Sequence, residues 1–102
     1  KVGASWEGFA LEQTLQILHP NAVYFWGTHA GAELDLVFQM NSKRYGIEFK
    51  FSEAPTLTPS MRVAVVELSL DYLWIVYPGK EIYPVTDKIS ALPLRKLESI
   101  RA

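Results

Sequence analysis

The chain of 102 residues contains no cysteine, which excludes disulfides and thiolate metal sites and fits a reducing compartment. No segment approaches the roughly 18 to 20 uninterrupted apolar residues of a membrane span, and no charged-then-apolar signal opens the chain. The expectation is a cytoplasmic protein with no membrane partner. Charge of one sign is also missing: ten Lys and Arg stand against eleven Asp and Glu, for a formal net charge of -1. The broad positive field that dominates nonspecific nucleic-acid binding is therefore absent, and a nucleic-acid role requires a local patch or help from another domain. There is no G-x-x-x-x-G-K-[ST] phosphate loop, no internal repeat and no low-complexity linker.

What is present is the profile of a folded chain. Hydrophobic residues make up 49% and aromatics 13%, against 21% charged, and the length suits one domain with a single core. The chain opens on Lys1 rather than methionine, so residues 1–102 are expected to be one domain cut from a longer protein.

Residues 3–18 read as a helix, because Ala10, Leu11, Leu15, Ile17 and Leu18 gather on one side at a period of 3.6. His19-Pro20-Asn21 ends it. AVYFW, residues 22–26, is a short aromatic strand, followed by a glycine-bearing loop that holds His29. ELDLVFQM and RYGIEFKF form a β-hairpin around Asn41-Ser42-Lys43-Arg44. Thr58 caps a second helix with Pro59 in its first position. YLWIVYPG is a further strand; EIYPVTDKISALPL continues extended, with Pro84 at an edge or irregular position, and LRKLESI closes as a short helix. The fold class is α/β in the order α-β-β-β-α-β, a mixed sheet flanked by helices.

A hairpin loop centred between Ser42 and Lys43 sets Val37 opposite Glu48 and Asp35 opposite Lys50. One face then carries Leu34, Leu36, Phe38, Met40, Tyr45, Ile47, Phe49 and Phe51, all apolar. The other carries Asp35, Val37, Gln39, Arg44, Gly46, Glu48 and Lys50. A slip of one residue would put Glu48 among the leucines, so the pattern selects this arrangement. Two readings stand: a solvated sheet face with a cross-strand Asp35–Lys50 ion pair, or a site. The first helix bears on the choice, because Leu11 lies about 40° and Leu18 about 20° from the direction of Glu7 at roughly 100° per residue. That sets Glu7 in the buried stripe, where a carboxylate needs a partner or a cation. It also has a bland reading, as an N-terminal acid favoured by the helix dipole.

An acid in the first helix, an Asp early in one strand of a hairpin and E-x-K in the next resembles the PD-(D/E)XK nuclease superfamily, here as Glu7, Asp35 and Glu48-Phe49-Lys50. The element order is similar to that superfamily's restriction-endonuclease-like core. YFWGTHAGAELDLVF, GIEFKFSEAPTLTPSMRVAVVEL and LWIVYPG also resemble the C-terminal domain of a bacterial and archaeal family of AAA-type ATPases, whose own function is uncharacterised. In that family the domain follows an ATPase module.

The resemblance implies that Asp35 and Glu48 hold Mg²⁺ or Mn²⁺ with the Phe49 carbonyl and waters. Glu7 would bind a second ion or orient a water, and Lys50 would position or activate the attacking water. The implied reaction is phosphodiester hydrolysis of DNA. Ser60 and Arg62, at the start of the second helix, are candidate phosphate contacts, beside their reading as ordinary helix-start and surface residues. His29 stays outside this set, and Trp6, Trp26 and Trp74 read as core. The alternative function is a noncatalytic DNA-binding, regulatory or protein-interaction module with the same fold.

Overall fold

A computed structural model describes residues 2–101. Helix α1 (Val2–Leu18) leads into strand β1 (Asn21–Gly27), and β2 (Glu33–Met40) and β3 (Lys43–Phe49) form the hairpin. Helix α2 (Pro59–Glu67) then precedes β4 (Tyr72–Tyr77), β5 (Tyr83–Thr86) and β6 (Ile89–Pro93), and a 3₁₀ segment (Leu94–Arg101) ends the order. None of the helices described is long and apolar enough to cross a membrane.

The six strands form one mixed sheet in the order β1-β2-β3-β4-β6-β5. β1, β2 and β3 pair antiparallel, α2 returns the chain so that β4 runs parallel to β3, and β6 is parallel to β4. Thr58 caps α2 from an extended backbone, its hydroxyl accepting from the Met61 N–H at 3.3 Å, and Pro59 follows at the start of the helix.

The C-terminal stretch forms more sheet than its sequence suggests. A tight turn, with the Lys88 N–H donating to the Thr86 hydroxyl, folds β6 back against β5, and all five residues of β6 are buried. Pro84 lies in β5, the edge strand, where its missing N–H costs little.

Each sheet face has its own apolar layer. Leu36, Phe38, Ile47 and Phe49 pack with Ala10 and Leu18 of α1 and with Leu97 and Ile100 of the 3₁₀ segment. On the opposite face Leu34, Val37, Leu73 and Ile75 pack with Met61 and Ala64 of α2. The hairpin face read either as solvated or as a site is thus covered at its centre by α2. Gly46 lies there because a Cβ would come within 2.5 Å of Leu34 Cδ2 and 2.9 Å of Leu70 Cδ1.

Two details differ from simple alternation. The hairpin loop holds only two residues, Asn41 and Ser42, at φ 55° and 64°, the left-handed pair of a type I′ turn. Met40 therefore pairs with Lys43 and Leu36 with Ile47, a register two residues away from the one expected. The shift preserves which side chains share a face but brings Asp35 to the level of Glu48 rather than Lys50. In addition, Leu34 joins Val37 in the α2 layer while Leu36 stays under α1. Alternation breaks beside Asp35, next to the shifts in the β1–β2 ladder.

Candidate functional site

The β2–β3 ladder runs out at the Leu36–Ile47 pair, and just beyond it the two acids lock the strands together. The Asp35 N–H donates to Glu48 Oε1 at 3.2 Å, and the Phe49 N–H donates to Asp35 Oδ2 at 2.9 Å. Each carboxylate thus takes the place of a ladder carbonyl on the opposite strand. Lys50 follows, its N–H donating to the Val76 carbonyl of β4 and its Nζ lying 3.6 Å from Glu48 Oε2. The backbone of all three residues is therefore fixed by the sheet rather than by a loop.

This arrangement is electrostatically costly for Glu48. Its side chain is only 17% exposed, and burial together with the charge of Asp35 pushes its carboxyl from 4.5 up to about 7. The backbone donor and Lys50 act in the opposite direction without cancelling the rise. Lys50, whose side chain is 40% exposed, is a partial counter-ion for a pair of acids.

Asp35 lines a cavity of about 410 Å³ with Glu7, Gly8, Leu11, Phe25 and Phe49. Glu7 therefore borders the same space as Asp35, but it is exposed and does not lie in the buried stripe of α1. That stripe runs through Ala10, Thr14 and Leu18. Thr14 enters it by donating its hydroxyl to the Ala10 carbonyl at 2.8 Å, which satisfies the polar group. Glu7 points along the same side of the helix, as about 100° per residue requires, but precedes Ala10, where the burial begins. Among the described residues, no group of three or more His, Asp or Glu is gathered closely enough to hold a metal ion. The expected quartet resolves into an acid pair with one lysine, and a third acid at the rim.

The donor set nevertheless suits a hard divalent cation. Two neighbouring carboxylates with too little positive charge between them match the one or two carboxylates plus waters by which Mg²⁺ is commonly held. Lys50 also borders a second, smaller recess with Ser52, Thr56 and Thr58, at the N-cap of α2.

The other candidates lie elsewhere or stand alone. Arg62 is exposed and lines a separate recess with Val65, Thr86, Asp87 and Lys88, so it is not brought to the acids. Ser60 occupies the first turn of α2, half-buried. His29 is exposed in the turn closed by Thr28 and Ala32. Trp6 and Trp74 pack against the α1 layer and Trp26 against the α2 layer. Phe25, which the sequence pattern did not single out, forms a wall of the acid cavity. It lies at the register shift between Tyr24 and Trp26 in the β1–β2 ladder, an irregularity that alternation along the sequence does not locate.

A family profile described as a domain of unknown function, DUF4143, matches residues 2–97. The chain is 47% identical over 93 residues to uncharacterized proteins of Mycobacterium bovis (Mb2031c) and Mycobacterium tuberculosis (Rv2008c). The match covers 91% of this chain and 21% of each relative, so the chain spans about a fifth of their length. No solved structure matches.

Proposed function

The chain belongs to the DUF4143 family of domains, and on that premise we propose that it is a metal-dependent nuclease-like domain within a longer protein, acting on phosphodiester bonds of DNA. The observation that carries this reading is the Asp35–Glu48 pair, held by reciprocal hydrogen bonds to the opposite strand's backbone and left short of positive charge. Structural ion pairs arrange opposite charges; a confronted acid pair at a cavity is more characteristic of a site. The resemblance of Glu7, Asp35 and Glu48-Phe49-Lys50 to the PD-(D/E)XK pattern supports the same reading. It also supports an ATPase module in the parent chain.

In this reading Asp35 and Glu48 bind Mg²⁺ or Mn²⁺ with the Phe49 carbonyl. Such an ion supplies Lewis acidity and a bound water acidified toward neutral pH. Asp35 and Glu48 keep fixed positions because each carboxylate accepts a backbone N–H from the neighbouring strand. Lys50, one step along from Phe49, offers an ammonium to orient the attacking water and balance charge on the phosphate. Glu7, at the rim of the cavity, can accept a hydrogen bond from a water on its outer side.

Calorimetry with Mn²⁺ tests the site. Wild type should bind with release of heat, and Asp35→Asn, which preserves shape and can still accept from Phe49, should lose at least tenfold in affinity. Equal heats from the two proteins, or none from either, would sink the metal site. A noncatalytic module serving the remainder of a longer chain is the second reading, favoured by the pairing of two acids rather than three. It predicts no metal-dependent nicking of single-stranded, branched or duplex DNA, and nicking that disappears with Lys50→Ala would eliminate it.

A further inference from the structure

The cavity beside the acids has an aromatic wall. Phe25 is 62% exposed on the edge strand β1, yet lines the same space as Asp35, Glu7 and Leu11. Phe51, immediately after Lys50, is 48% exposed and rests against Trp6 at a centroid distance of 5.9 Å. Phe51 lines a different recess, with Ser52, Glu53 and Pro78, so Phe25 is the exposed ring in the wall of the Asp35 cavity. Positive charge is scarce in comparison: Lys50 is the cation held at the acid pair, Arg62 borders a different recess, and the chain carries a net charge of -1.

That balance separates two kinds of polynucleotide. Duplex recognition depends on neutralising phosphates, and its bases present only their edges. An unpaired base offers a whole π-face, and stacking on an aromatic ring requires no charge. A cavity of about 410 Å³ falls within the usual span of small-ligand clefts, about 300–1,000 Å³, and suits one splayed nucleotide. We propose that Phe25 is the stacking platform for an unpaired nucleobase, so that single-stranded nucleic acid is the ligand class of the Asp35–Glu48 site. This rests on the nuclease-like reading for the chemistry, and on the cavity wall for the ligand. Phe25 is here a specificity-determining residue, not a catalytic one.

The test is fluorescence anisotropy of a labelled oligo-dT strand and a duplex of equal length, measured in EDTA so that binding is read apart from any metal. Wild type should bind the single strand at least tenfold more tightly than the duplex. Phe25→Ala should lose about tenfold on the single strand, Phe25→Leu should lose as much because it keeps apolar bulk without the ring, and Phe25→Trp should retain binding. The exposure of Phe25 predicts unchanged melting in all three, which is checked by circular dichroism. Equal affinity for duplex, absence of single-strand binding, or full binding by Phe25→Leu overturns the proposal, the last pointing to a protein-docking surface instead. The metal reading is scored separately by Mn²⁺ calorimetry. Manganese heat without oligonucleotide binding removes the stacking platform alone, and oligonucleotide binding lost on Phe25→Ala without manganese heat supports the platform while removing the metal.

Discussion

The two ends of the β2–β3 hairpin treat charge in opposite ways. At the turn end Arg44 donates through Nη1 to the Leu68 carbonyl at the C-cap of α2, at 2.9 Å, where a cation also meets the negative end of the helix dipole. Its N–H donates to Asp71 Oδ2, also at 2.9 Å, and its carbonyl accepts from the Asp71 N–H at 2.8 Å. Arg44 and Asp71 thus stitch α2 and β4 to the hairpin. At the open end, Asp35 and Glu48 are held just as firmly, but like charge confronts like charge and Glu48 titrates near 7. Charge at the first end closes the fold; at the second two acids face each other with one lysine beside them.

The most forceful way to break this contrast is to neutralise the open end with Glu48→Gln. A rise from 4.5 to about 7 corresponds to on the order of 3 kcal/mol. The folded state binds more protons than the unfolded state between those values, so stability falls as pH rises through the window. The penalty is absent below pH 4.5 and fully present above about 7. In EDTA, wild type should therefore lose up to about 3 kcal/mol between pH 4.5 and 8, whereas Glu48→Gln should show little of that slope. Urea titrations at both pH values check this, and a wild-type profile as flat as the variant's would refute it.

The turn end makes the opposite prediction. Arg44→Ala removes a charge-assisted hydrogen bond to a helix-terminal carbonyl and should destabilise by about 2 kcal/mol, with Mn²⁺ binding intact. A variant of normal stability would mean that the Arg44 contacts are incidental. Ser42→Gly gives the smallest effect. At φ 64° glycine relieves left-handed strain but adds freedom to the unfolded chain, so a gain of about 0.5 kcal/mol is expected. A loss exceeding 1 kcal/mol would show that the Ser42 side chain contributes beyond its backbone conformation.

Much of this contrast could be read from residue order. Apolar alternation separates Leu36, Phe38, Ile47 and Phe49 from Val37 and Glu48 correctly, because one buried face per strand fixes side-chain parity. Register was less legible: a type I′ turn made by Asn-Ser lacks the glycine that usually announces it, so a longer loop was the natural reading. The direction of Glu7 was legible, since Thr14 and Leu18 are buried on the same side of α1, but its exposure was not. Periodicity gives the angle of a residue and not how far along the helix the burial extends, and here it begins at Ala10. The departure of Leu34 from alternation could not be foreseen, since it depends on where β1 shifts against β2 and on the room left by Gly46. The inward place of β6 was hidden for a similar reason: Ser90 is buried against Tyr72 through a hydroxyl pair, a partnership between distant segments.

The strand order also imposes a sequence in time. β6 is the last strand of the sheet to be synthesised, yet it lies between β4 and β5 and leads directly into the segment whose Leu97 and Ile100 meet α1. The acids emerge early, on a hairpin of local contacts that also covers part of α1, but the free side of β4 and the rest of the α1 layer stay uncovered until the C-terminal residues arrive. A chain interrupted before β6 therefore leaves the edge of β4 without its parallel partner and open to pairing with its neighbours.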